Sequence, residues 1–63
     1  MPLSGREMLK RYLDDGWVLL RQKGSHVHVG KEGQVETIPM HRELKKGLER
    51  GLLKRLRSKG AKK

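Results

Sequence analysis

The feature that most constrains this chain is a change in the period of its apolar residues. Polar and apolar side chains alternate through His26-Val27-His28-Val29, whereas towards both ends the apolar residues recur every three or four positions. Alternation places Val27 and Val29 on one face of a strand and His26 with His28 on the other. The longer spacing is that of an amphipathic helix. Met8, Leu9, Tyr12 and Leu13 mark a first helix over Ser4 to Asp15, opened by the capping-box pattern Ser4-Gly5-Arg6-Glu7 and stopped by Gly16. Leu44, Leu48, Leu52 and Leu56, widened by Leu53, mark a second over Glu43 to Lys59. Its interior glycines, Gly47 and Gly51, each cost about 1 kcal/mol against Ala, so the regular helix begins at Glu43 or only at one of them.

Trp17 to Arg21 reads as a strand, buried on one face and partly covered on the other. Gln22 to Ser25 holds a turn, Gly30-Lys31-Glu32-Gly33 a hairpin loop, and Gln34 to Ile38 a third strand ended by Pro39. The order predicts an α+β fold, α-β-β-β-α: a three-stranded antiparallel sheet with both helices on one face and the other face open. A chain of 63 residues has room for one small core, here set at residues 1–57, with 58–63 as a basic, flexible tail. Tyr12 and Trp17 belong to that core rather than to a base-stacking surface, so RNA, if bound, is held by charge and shape.

Composition then excludes several functions. There is no cysteine, hence no disulfide framework, thiolate metal site or cysteine nucleophile. Three histidines without cysteine give no metal-ligand spacing, and no cofactor-binding or phosphate-loop motif occurs. No apolar run reaches the roughly 20 residues of a membrane span, and the N-terminus lacks a secretory pattern; the expected location is the cytoplasm, with no membrane partner. The formal charge of +9 is uneven: residues 1–41 carry 6 basic and 5 acidic side chains, residues 42–63 carry 10 and 2. Such a block attracts a polyanion through counterion release, which makes nucleic acid the leading partner.

Gly24-Ser25-His26 is the one arrangement suggesting a reactive group: a glycine turn delivers a histidine onto a strand, near Arg21 and Lys23. Imidazole titrates near neutral pH and can exchange a proton with a ribose 2′-hydroxyl or a leaving 5′-oxygen. Neighbouring cations would stabilise the charge that builds on phosphorus. His28, on the same side, is a second proton-transfer group, a phosphate contact or a plain polar strand residue. His41, after Pro39-Met40, is a junction residue or a contact to RNA. Arg21, Lys23, Lys45, Lys46, Arg50 and Lys54 are the cations placed to guide or hold an RNA backbone.

The stretches MPLSGREML, DGWVLLRQKGSHVHV, IPMH and ELKKGLERGLLKRL together resemble the HicA (YcfA-like) mRNA interferase toxins, over about Ser4 to Arg57. The resemblance implies a double-stranded-RNA-binding-like fold. It also implies the toxin of a type II toxin–antitoxin system, an endoribonuclease that cleaves mRNA without a ribosome, and a HicB-type antitoxin that covers the active site. It assigns catalysis to His26 and makes Gly24 and Ser25 shapers of the turn. Two departures stand out. Many members carry a second histidine directly after the first, where this chain has Val27 and places His28 one residue later. The end, RLRSKGAKK, also differs from the family's usual close. Two other readings fit the residues: a non-catalytic double-stranded-RNA-binding module, and a protein whose basic surface docks an acidic partner.

Overall fold

The structure is a computed structural model and describes residues 3–60, with side chains through Arg57. Helix α1 (Gly5–Asp14) is followed by strands β1 (Val18–Lys23), β2 (His26–Lys31) and β3 (Gln34–Pro39) and by helix α2 (Lys46–Gly60). The strands form one antiparallel sheet in the order β1-β2-β3, so the histidine-bearing strand is central. The expected α-β-β-β-α order is therefore observed.

Local chemistry accounts for the boundaries. The Ser4 hydroxyl accepts from the Glu7 amide at 3.1 Å and the Glu7 carboxylate accepts from the Ser4 amide at 2.9 Å, completing the capping box. Gly16 (φ 98°) ends α1. Gly24 (φ 60°) and Ser25 form the β1–β2 turn, as expected of a hairpin with glycine first. The β2–β3 turn is shorter than the sequence suggests: Gly30 and Lys31 pair within the sheet, and only Glu32 (φ 49°) and Gly33 (φ 83°) turn the chain.

Val27, Val29 and Ile38 from the inner face of the sheet pack with Met8, Tyr12, Trp17, Leu44 and Leu52. Both helices thus cover one face. Tyr12 ties them together: its hydroxyl donates to the Leu52 carbonyl at 2.7 Å, and its ring meets Trp17 edge-on at 4.9 Å. Burial, with Glu36 nearby and partly opposed by Arg55, pushes the Tyr12 phenol up to about 12. Arg55 Nε donates to Glu36 at 2.9 Å, joining α2 to β3.

One expectation fails, and one that the sequence leaves open is settled. Strand β1 is not buried on either face; all six of its residues are exposed, including Val18, Leu19 and Leu20. It lies at the sheet edge, where the helices shelter Trp17 and not the strand. The second helix begins at Lys46 rather than Glu43, because residues 40–45 run across the start of α1. There Gly5 donates to the His41 carbonyl at 2.8 Å and Leu44 to the Leu3 carbonyl at 2.9 Å, while Leu44 is buried outside the helix. The backbone of α2 continues to Gly60, past the expected start of the tail; residues 61–63 lie outside the described residues.

Candidate functional site

The register of the sheet builds the site. In β2, Val27 and Val29 face the helices, so His26, His28 and Gly30 face outward. Directly paired residues share a face. Lys23 pairs with His26 and Arg21 with His28 on one side, and Pro39 with His26 and Thr37 with His28 on the other. Thr37 Oγ1 lies 3.1 Å from His28 Nδ1. That contact orients the His28 ring, while His26 is exposed at the strand start beside the Gly24-Ser25 turn.

This grouping depends on a β-bulge. Pairing runs Val18 with Gly30 and Leu19 with Val29, then slips so that Arg21, not Leu20, stands opposite His28. An unbroken ladder would send Arg21 inward and put Leu20 and Gln22 on the histidine face. The extra residue instead delivers both cations to it. Leu20 folds over Gly30, with Cδ1 2.9 Å from where a Cβ there would sit. Val18, Leu20 and Val35 consequently form an exposed apolar end of the same face.

The other sequence-selected residues separate. Lys45, Lys46, Arg50 and Lys54 are all exposed on or just before α2. On α2, Lys46, Arg50 and Lys54 recur at four-residue spacing on the side opposite buried Leu52, so they point away from the core and from the sheet's open face. His41 lies near the Ser25 end: Met40 donates to the Ser25 carbonyl at 2.6 Å, one residue before His41 and one before His26. The His41 side chain is exposed and lines a cleft of about 470 Å³ with Ser4, Arg6, Leu9, Gln22, Val27, Met40 and Arg42. Arg6 and Arg42 escaped the sequence reading because they lie 36 positions apart and share no local pattern; only the packing of residues 40–45 against α1 brings them to one cleft. Among the described residues, no group of three or more His, Cys, Asp or Glu side chains is placed to hold a metal ion, and no helix is long and apolar enough to cross a membrane.

A basic α-β-β-β-α chain with histidines and cations on an open sheet face defines a class of small α+β proteins whose uncovered sheet face is polar and accessible around the histidines. Residues 5–57 match the family described as the HicA toxin of bacterial toxin-antitoxin systems, and the chain belongs to that family. It is accordingly a toxin, and the family implies a cognate antitoxin as its partner. No curated protein and no solved structure matches the chain.

Proposed function

We propose that the chain is a ribosome-independent mRNA endoribonuclease with His26 as the catalytic residue. The observation that carries this reading is the pairing of Lys23 with His26 and Arg21 with His28 on the uncovered face of a HicA-family sheet. Directly opposed side chains in an antiparallel sheet have Cβ atoms about 5 Å apart, so one phosphate can meet an imidazole and a cation together. In the reaction, a base takes the proton of a ribose 2′-hydroxyl and the oxygen attacks the adjacent phosphorus. An acid then protonates the departing 5′-oxygen, leaving a 2′,3′-cyclic phosphate and a 5′-hydroxyl. His26 serves one of these steps, and Arg21 and Lys23 offset the charge that develops on the phosphorane. His28, held by Thr37, is a second proton-transfer group or a phosphate contact. Gly24 and Ser25 shape the turn that presents His26. Lys45, Lys46, Arg50 and Lys54 attract the RNA and hold it loosely from the α2 side.

The antitoxin, in this reading of HicB type, silences the toxin by covering the same face. Val18, Leu20 and Val35 offer it an apolar patch, and Arg21 and Lys23 offer partners for acidic side chains.

The test is cleavage of a labelled mRNA in EDTA by the wild type and by His26→Ala, with binding measured for both. The expected result is a rate loss of roughly 10²–10⁴-fold in the variant with RNA binding retained. Cleavage unchanged in His26→Ala would reject the assignment. Binding without cleavage by either protein would favour the non-catalytic double-stranded-RNA-binding module, and a strict need for a divalent metal would overturn the acid–base mechanism.

A further inference from the structure

We propose that the cleft beside the Ser25 end of the sheet is a nucleotide subsite, which takes one residue of a single RNA strand next to the bond cut at His26. The inference rests on the ribonuclease reading above. The cleft has an apolar floor of Leu9, Val27 and Met40 and a polar rim of Arg6, Arg42, His41 and Gln22. Both guanidiniums are exposed, and among the described residues neither has a carboxylate or hydrogen-bond partner. Unpaired arginines lining one recess attract a phosphate, which a guanidinium can grip with two donors. An apolar floor below that rim suits the face of a base. The volume, about 470 Å³, lies within the usual range for small-ligand sites of about 300–1,000 Å³.

The start of α1 does not supply the binding. Its Ser4 and Glu7 amides are engaged by the capping box and its Gly5 amide by the bond to the His41 carbonyl. Position supplies the link to the reaction: the Met40 amide bonds the Ser25 carbonyl, so the cleft wall and His26 flank the same turn. The cleft opens on the helix side of the sheet end and His26 on the other, and a strand rounding that end meets both. A duplex is too stiff to make this turn, which makes single-stranded RNA the substrate class.

The experiment measures binding of a fluorescent, non-cleavable 2′-O-methyl octaribonucleotide to three proteins: wild type, Arg6→Ala/Arg42→Ala, and Lys10→Ala/Arg11→Ala, the latter two residues being exposed on helix α1. The last two lose equal charge. The expected result is at least tenfold weaker binding for the cleft variant and under threefold for the helix variant, with methyl NMR shifts at Leu9, Val27 and Met40 in the wild type on adding the octamer. Equal weakening in both variants, or no shift at these methyls, would overturn the subsite while leaving catalysis at His26 standing. Failure of the wild type both to bind the octamer and to cut mRNA would overturn the ribonuclease reading and the subsite with it.

Discussion

Replacing Gly5 by Ala tests the packing that brings the cleft and the histidine turn together. Helix propensity favours the change, since Ala exceeds Gly by up to ~1 kcal/mol in a helix interior and by less in the first turn. The tertiary structure reverses that sign. A Cβ on Gly5 would lie 2.0 Å from the Pro39 carbonyl oxygen, 2.7 Å from Met40 Cα and 2.9 Å from the Pro39 carbonyl carbon. All three are backbone atoms, so no rotamer change relieves the overlap, and the nearest must retreat by over 1 Å to reach the 3.4 Å of ordinary contact. Overpacking costs about 1–3 kcal/mol, and moving residues 39–44 off α1 also strains the Gly5–His41 and Leu44–Leu3 bonds, at about 1 kcal/mol each. The loss is then ~3 kcal/mol or more, against a total of roughly 3–9 kcal/mol for a domain of this size. Thermal unfolding followed by far-UV circular dichroism should show Tm lower by about 12 °C or more, or no folded state. Gly47→Ala is the control: a Cβ there meets nothing within 4 Å, and Tm should rise by a few degrees. A Gly5→Ala protein as stable as the wild type would refute the packing argument.

Other outcomes follow from single contacts. Tyr12→Phe loses the buried hydrogen bond to Leu52 and should cost about 1–2 kcal/mol in urea unfolding at pH 7. The wild type should weaken between pH 10 and 12: the folded phenol is raised from 10.0 to about 12, so its contribution is complete below pH 10 and fades as pH rises through 12. Tyr12→Phe should lack that transition, and an identical alkaline profile for both proteins would show that Tyr12 does not control it. Glu32→Asn should stabilise by about 0.5–1 kcal/mol, because Glu32 holds φ 49° in a tight turn where Asn is better tolerated; denaturant midpoints decide. Arg21→Ala/Lys23→Ala removes the two cations that stand opposite His28 and His26 and should lower mRNA cleavage by at least tenfold with the fold retained. Unchanged cleavage would separate those cations from the reaction.

The sequence by itself determined the order of elements, because period and punctuation are local. The capping box at Ser4, the alternation at His26 to Val29 and the glycine turns are each read within a few residues, and each is found, the second turn narrowed to Glu32 and Gly33. It also determined that His26 and His28 share a face and that Tyr12 and Trp17 are core. Only the tertiary structure decided what stands beside those histidines. The bulge at Leu20 has no signature in the chain, yet by shifting one register it chooses Arg21 and Lys23 over Leu20 and Gln22. Residues 40–45 carried the helical leucine spacing through Leu44 but lie outside the helix, since bonds to Leu3 and Gly5 claim that segment. The same docking creates the cleft and joins Arg6 to Arg42 across 36 positions of sequence, a contact between distant segments that no local pattern encodes.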